Sequence, residues 1–134
     1  TAVYRKRVEL PADAVTGRLF LSLGTVHNLA RVKLNGHDQG VVWTAPWQAD
    51  ITAAARAGVN ELEIEVVNLW PNRLIGDAML PKEKRFTVTN VRTYDTMASG
   101  TFGCKTCESR KQSGQPASLL PSGLLGPVTV QRQE

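Results

Sequence analysis

The feature that most restricts the fold of this chain is a two-residue alternation of apolar and charged side chains. From Asn60 to Val67, the apolar residues Leu62, Ile64 and Val66 alternate with glutamates. Successive side chains of an extended chain point to opposite faces, so this spacing is typical of a strand with one face buried and the other in water. We therefore expect a half-buried β-strand here.

Other segments have the same alternation or are rich in residues that favour strands. The predicted strands are Val3–Leu10, Arg18–Leu23, Arg31–Leu34, Val41–Trp43, Asn60–Val67, Arg85–Val91 and Pro127–Gln131. Asn35-Gly36 lies between two of them, and both residues tolerate the positive φ of a type I′ turn, which predicts a hairpin. About seven short strands separated by turns predict an all-β fold, a jelly-roll β-sandwich.

The segment Asp50–Gly58 breaks the alternation and predicts one short helical turn that closes an end of the sandwich. Asp50 or Thr52 can accept hydrogen bonds from the free amides at its start. Gly58 can adopt the left-handed conformation at its end.

The length of 134 residues suits one compact domain, and 42% apolar residues are enough for a core. Residues 94–122 have little periodicity, and a loop of this length is usually functional or mobile. The sequence therefore predicts a single domain over residues 1–134 with a flexible insertion at about 95–118. The chain starts at Thr1 in strand-like sequence without an initiator methionine, so we expect it to belong to a longer protein.

Both cysteines, Cys104 and Cys107, lie in that insertion, and three interpretations of the pair are open. A redox motif needs a helix N-terminus that lowers the pKa of a thiol, and a zinc site needs two further ligands. A disulfide within the loop, or two free thiols, is the plainer alternative.

The charge balance limits the classes of partner. Sixteen Lys and Arg against twelve Asp and Glu leave a net charge of +4, and the cations are scattered in small groups such as Arg5-Lys6-Arg7. A nucleic-acid partner is not expected, because it usually requires a basic stripe on one face. A membrane partner is not expected either, because no apolar run approaches the length of a bilayer span. The cations are interpreted as solvated surface charge, with a preference for acidic ligands such as uronic-acid polymers as the alternative.

No catalytic arrangement is recognised in the sequence. A glycosidase needs two carboxylates across a scissile bond, whereas Glu61, Glu63 and Glu65 are predicted to lie on the exposed face of one strand. Asp side chains and turn carbonyls suit calcium, which makes calcium a candidate cofactor, although no EF-hand spacing is present.

Sugar binding is the better hypothesis, because sugar rings pack on aromatic rings while their hydroxyls need convergent polar groups. The preferred ligand contacts are two tryptophans in turn-rich sequence, since Trp43 ends a strand and can face inward. The predicted carbohydrate-binding residues are Trp47, Trp70, Asn72, Arg73 and Asp77. The alternative is that the tryptophans plug the ends of the sandwich while Asn and Asp bond to their own turns.

Three segments together resemble a known family: VHNLARVKLNGHDQGVVWTAPWQADIT, GVNELEIEVVNLWPNRLIGD and LLPSGLLGPVTV. They resemble the jelly-roll domain of glycoside hydrolase family 106 α-L-rhamnosidases and are similar to the sugar-binding domain of family 2 glycosidases. The resemblance covers Leu19–Asp77 and Leu119–Val130, whereas Tyr94–Gln115 departs from the family pattern.

The resemblance implies a galactose-binding-like β-sandwich attached to a larger secreted enzyme, extracellular or periplasmic, that acts on plant cell-wall glycans such as rhamnose-containing pectin. In such enzymes the catalytic carboxylates belong to a separate barrel domain, so no catalytic residue is carried over to this chain. The expected partners are a plant polysaccharide or oligosaccharide and the parent catalytic domain.

Three hypotheses follow. The chain is a non-catalytic carbohydrate-binding module, a structural domain that packs on its catalytic domain without binding free sugar, or an independent enzyme. The module should lose glycan binding on Trp47→Ala or Trp70→Ala, whereas the structural domain should carry an exposed apolar patch. The independent enzyme has no visible catalytic constellation to support it.

Overall fold

The computed structural model describes residues 1–88 and 119–133, which form two compact units. The first unit comprises Thr1–Asn68 and Ser122–Glu134, and the second comprises Leu69–Pro121. In the described residues, the strands of the first unit are β1 (Ala2–Leu10), β2 (Arg18–Ser22), β3 (Thr25–His27), β4 (Leu29–Leu34), β5 (His37–Val42), β6 (Gln48–Asp50), β7 (Gly58–Val67), β8 (Gly123–Gly126) and β9 (Thr129–Gln133).

These strands form antiparallel sheets, which confirms the predicted all-β sandwich. One sheet has the order β1-β7-β4-β5, a second has the order β6-β2-β9, and β3 pairs with β8. Strand β7 is one of the two inner strands of the first sheet, with β1 on one side and β4 on the other. Strand β1 therefore forms an edge of this sheet, opposite the edge formed by β5.

The core consists of the alternating apolar residues that the sequence predicts. Leu62, Ile64 and Val66 of β7 are at most 7% exposed. They belong to one buried cluster with side chains of β2, β3, β4, β5 and β6. Fully burying a Leu, Ile or Val side chain stabilises a fold by about 1.5–3 kcal/mol, so this cluster holds the sheets together.

The hairpin between β4 and β5 has the predicted turn. Asn35 has a φ of 52° and Gly36 a φ of 80°, and Leu34 pairs with His37 on either side of them. Positive φ at both central positions is what a type I′ turn requires, and it explains why Asn-Gly occupies them.

A buried asparagine connects this hairpin to the start of β7. Asn60 is fully buried, and its Nδ2 donates to the carbonyl oxygens of Arg56 at 2.7 Å and Gly58 at 3.0 Å. Its Oδ1 accepts from the Arg56 amide at 3.0 Å and from Asn35 Nδ2 at 2.8 Å. The Glu61 amide donates to Asn35 Oδ1 at 2.9 Å, so two side-chain amides close the loops at this end of the first unit.

The helical turn predicted at 50–58 is present as a single turn. The Ala55 amide donates to the Ile51 carbonyl at 3.0 Å, and the Thr52 amide donates to Asp50 Oδ1 at 3.0 Å. Gly58 has a φ of +85° where the chain enters β7. The prediction for Asp50 is therefore confirmed, and Gly58 has the predicted positive φ, but as the first residue of β7 and not at the end of the turn.

The second unit contains a helix that the sequence analysis missed, α1 (Pro71–Ala78), followed by a 3-10 turn at Lys82–Lys84. The first helical position is Pro71, which is a known start signal, because proline lacks an amide hydrogen that would have no partner there. Eight residues were too few for the helical period to stand out.

The strand predicted at 85–91 is wrong for its described part. Residues 85–88 are not in a strand, because their polar groups bond to the C-terminal end of α1 instead. Arg85 donates to the carbonyls of Leu80 at 2.9 Å and Ala78 at 3.0 Å. Residues 89–91, the insertion at 95–118, and Cys104 and Cys107 lie outside the described residues, so the predictions for them stay predictions.

Candidate functional site

Four of the predicted sugar-binding residues lie at α1 in the second unit. Trp70 occupies the position before the helix and is 67% exposed. Its side chain is available to a ligand or a partner, and its sugar-binding role stays a prediction. Asn72, Arg73 and Asp77 follow within the helix.

The amide of Asn72 is engaged with the backbone of its own unit. Its Nδ2 donates to the Leu120 carbonyl at 2.8 Å, and its Oδ1 accepts from the Leu120 amide at 2.7 Å. This reciprocal pair joins α1 to the backbone at Leu120. Asn72 thus has a structural role whether or not it binds a ligand.

Asp77 is engaged in the same way. It is only 3% exposed, and Oδ2 accepts from the backbone amide of Thr87 at 2.8 Å and also from the Thr87 hydroxyl. The hydrogen bond from the Thr87 hydroxyl holds the pKa of Asp77 below its ordinary value. Arg73 lies 3.4 Å from Asp77, and its guanidinium lies 4.4 Å from the centre of the Phe86 ring. These contacts attach residues 86–87 to α1.

The fifth predicted residue, Trp47, belongs to the first unit. Its side chain is partly buried and packs against the core cluster, while its carbonyl accepts from the Leu23 amide at 2.8 Å. Trp43, for which an inward position was considered, is 71% exposed. The inward position at the end of β5 is taken by Val42, and the next residue points to the other face.

The outer face of the four-stranded sheet is a ladder of opposite charges. Arg5 of β1 lies 2.7 Å from Glu63 of β7, and Lys33 of β4 lies 3.2 Å from the same carboxylate. Arg7 pairs with Glu61 at 3.3 Å. The hydrogen bond from Arg5, followed by that from Lys33, holds the pKa of Glu63 below its ordinary value. This face is neutralised by its own cross-strand pairs.

The inner face of the same sheet is different at its β1 edge. Tyr4 lies opposite Ile64 and Lys6 lies opposite Leu62 in the antiparallel register. Directly opposite residues share a face, so Tyr4 and Lys6 are on the side of the core. Both are nevertheless exposed, Tyr4 by 43%, which indicates that the second sheet does not cover this edge.

The uncovered edge forms a cavity of about 380 Å³ within the first unit. Leu62 and Ile64 contribute to its lining from β7, and Leu124 and Val128 line it from the β8–β9 segment. The Tyr4 hydroxyl lies over Gly123, where an added Cβ would be 3.7 Å away. We name this cavity, with Tyr4 and Lys6 at its open side, the β1 groove.

Sequence reasoning missed the β1 groove, although a signal for it was present. The basic run Arg5-Lys6-Arg7 was interpreted as surface charge as a whole. In a strand, however, Lys6 must face the side opposite to its two arginine neighbours. A lysine on the apolar side of an amphipathic strand indicates that this side is open there.

The described residues offer no metal centre and no membrane span. In the ranges 1–88 and 119–133, no group of three or more His, Cys, Asp or Glu side chains converges, so the calcium hypothesis gains no ligand set from them. Within the same ranges, no helix has the length and apolar character that a bilayer crossing requires.

Comparison with known proteins relates the chain to large glycosidases. No protein-family model matches it. It is 37% identical over 136 residues to the Formosa agariphila protein named "Putative beta-glucuronidase", which covers 97% of this chain and 12% of that protein. Its fold matches the solved rhamnosidase of Novosphingobium sp. PP1Y with a TM-score of 0.62 and 34% identity, over 96% of this chain and 10% of that one.

The chain thus spans about a tenth of the length of each of these relatives. It is homologous to a small part of large glycosidases, and it does not correspond to a whole enzyme of that kind.

Proposed function

We propose that this chain is a non-catalytic accessory domain of a large rhamnosidase-like glycosidase and that it packs on the rest of that enzyme. The observation that carries this proposal is that nearly the whole chain corresponds to 10–12% of each of two large glycosidases. We further propose family 106 as the family, rhamnose-containing plant cell-wall glycans as the substrate, and an extracellular or periplasmic location. The segments that resemble family 106 support these finer assignments.

The second unit supports packing, because it concentrates exposed apolar side chains in a short stretch of chain. Half of the large apolar residues that are exposed in the described part of the chain belong to it. They are Leu69, Trp70, Met79, Leu80, Phe86, Val88, Leu119 and Leu120. Such density of apolar surface is typical of a contact with another protein or domain. The remaining nine-tenths of a glycosidase is the proposed occupant.

The polar groups favour packing over sugar recognition at this place. Sugar hydroxyls need polar partners that are free to converge on them. Asn72 bonds to Leu120 and Asp77 bonds to Thr87, so these two side chains stabilise the unit itself. Trp70 remains exposed beside them, and an indole of this exposure can serve as an interface anchor.

The test is hydrogen–deuterium exchange of residues 69–88 in the 134-residue chain and in the full product of the gene that encodes it. We expect a much longer product in which exchange of this segment is slower, by roughly tenfold or more, because burial opposes local opening. Equal exchange in both, or a product no longer than this chain, would overturn the proposal.

Variants sharpen that test. Trp70→Ser should lower the thermal stability of the full product but change the isolated chain little. Trp43→Ser, which alters an equally exposed tryptophan of the first unit, is the matched control and should leave both proteins nearly unchanged. Equal effects of the two substitutions on the full product would contradict a contact at the second unit.

A second candidate function is a carbohydrate-binding module for pectin-type or other rhamnose-containing glycans. The exposure of Trp70, beside Arg73, favours it, since an exposed indole can pack on a sugar ring. Titration calorimetry with rhamnogalacturonan and neutral galactans, with and without calcium, tests it. Saturable binding that Trp70→Ala and Trp47→Ala abolish is expected, and no binding to any of these polymers would exclude this candidate.

A further inference from the structure

The β1 groove combines three properties of a ligand site. It has a volume of about 380 Å³, within the usual range of about 300–1,000 Å³ for small-molecule sites. It is lined mainly by apolar side chains, and it has one aromatic ring, Tyr4, exposed at its open side. Each property concerns residues of the first unit, whereas the residues proposed for packing belong to the second.

The charged residues that line the groove are all positive. The residues that line it include the cations Arg5 and Lys6 and no acidic side chain from the described part of the chain. The guanidinium of Arg5 is paired with Glu63 at 2.7 Å on the outer face. Lys6 forms no ion pair with any described residue, and the Tyr4 hydroxyl likewise forms no hydrogen bond with one. Among the residues that line the groove, the Lys6 ammonium and the Tyr4 hydroxyl thus have no described partner and are free to bond to a ligand.

We propose that the β1 groove binds a carboxylated sugar, a uronic-acid unit of a glycan. The apolar C–H face of the sugar ring packs on Tyr4, because such faces complement the π-surface of an aromatic ring. The carboxylate lies against the Lys6 ammonium and forms a charge-assisted hydrogen bond, which is about twice as strong as a neutral one.

A neighbouring cavity along the same strand differs in charge from the β1 groove. It has a volume of about 350 Å³, and its lining includes Arg7, Glu61 and Glu63 as well as Arg5, Lys6 and Leu62. Two glutamates disfavour a carboxylate there, so the proposed site is the β1 groove alone, and Arg7 is not part of its lining.

The experiment is a titration of the 134-residue chain, ¹⁵N-labelled, with a trimer of galacturonic acid and with the neutral galactose trimer, followed by NMR. We expect saturable shifts of the amides of Tyr4, Lys6 and Leu124 with the acidic trimer. The neutral trimer should bind roughly tenfold more weakly, because it cannot form the charge-assisted hydrogen bond to Lys6.

Matched variants separate the groove from the basic run. Lys6→Gln should weaken binding of the acidic trimer by roughly tenfold, and Tyr4→Ala by roughly fivefold or more. Arg7→Gln removes a neighbouring cation that faces the other side of the sheet, so it should change the affinity by less than about twofold. The amide spectrum of each variant establishes that it is folded, and Tyr4→Phe, which keeps the ring, should retain most of the affinity.

Three results would overturn the proposal: equal affinity for both trimers, no saturable shift at the β1 groove, or a loss with Arg7→Gln as large as with Lys6→Gln. The packing proposal is tested on residues 69–88 with different variants. Either proposal can therefore fail while the other survives.

Discussion

Replacing Asn60 with alanine tests how the hairpin and the start of β7 are held together. Asn60 is fully buried, and its side-chain amide forms four hydrogen bonds: two as donor, to the carbonyls of Arg56 and Gly58, and two as acceptor, from the Arg56 amide and Asn35 Nδ2. Alanine can form none of them.

A net contribution of about 1 kcal/mol for each hydrogen bond gives a loss of about 4 kcal/mol for Asn60→Ala. The total stability of a domain is about 5–15 kcal/mol, so this single change removes a large part of it. Urea unfolding followed by far-UV circular dichroism measures the loss as a lower midpoint at an unchanged slope.

The control is Gln48→Ala. Gln48 is an exposed amide that donates to Gln131 at 3.0 Å, and its removal should cost less than about 0.5 kcal/mol. Asn35→Gly removes the partner amide but accommodates the positive φ of the turn, so the double variant with Asn60→Ala should show a coupling of about 1 kcal/mol. A loss below about 1 kcal/mol for Asn60→Ala, or one equal to that of Gln48→Ala, would refute the reasoning.

Three further predictions concern charge and backbone conformation. The hydrogen bonds from Thr52 lower the pKa of Asp50 from 3.8 to about 2, so the stability that this carboxylate contributes is present above pH 3.8 and lost as the pH falls towards about 2. Thr52→Val should move that pKa back towards 3.8, as measured by NMR titration, and an unchanged pKa would contradict the assignment. Gly24→Ala places a methyl group 2.2 Å from the carbonyl oxygen of Gly126, the last residue of β8, and should prevent folding. The methyl group of Gly36→Ala meets open space, so this variant should lose only about 1–2 kcal/mol of stability, as measured by thermal denaturation. Glu63→Gln should lower stability at low salt and lose most of this effect in 1 M NaCl, because its pairs with two cations are partly exposed; a loss independent of salt would argue against the charge ladder.

The strand pattern was predictable because it depends on local chemistry. Leu62, Ile64 and Val66 alternate with glutamates, and that alternation is enough to identify β7 and its buried face. The turn at Asn35-Gly36 was predictable for the same reason, since few residues tolerate positive φ. The short strands β3, β6 and β8, of three or four residues, carry too little pattern to be recognised.

The candidate sites were less predictable because they depend on contacts between distant residues. The composition around Trp70 indicated polar groups suited to a sugar, but Asn72 bonds to a residue 48 positions away and Asp77 to one 10 positions away. The sequence shows that these residues are present, but it does not show which residues they form hydrogen bonds with. The sugar-binding assignment of Trp47, Trp70, Asn72, Arg73 and Asp77 stays a prediction.

The amino-acid sequence alone determined that this chain forms an antiparallel sandwich with an Asn-Gly hairpin, and which face of β7 is buried. Only the tertiary structure decided where the second sheet leaves the first uncovered, and hence that Tyr4 and Lys6 border an open groove instead of a filled core. The physical reason is that a two-residue period assigns each side chain to a face. Whether that face is covered depends on strands that are far away in the sequence, such as β8 and β9.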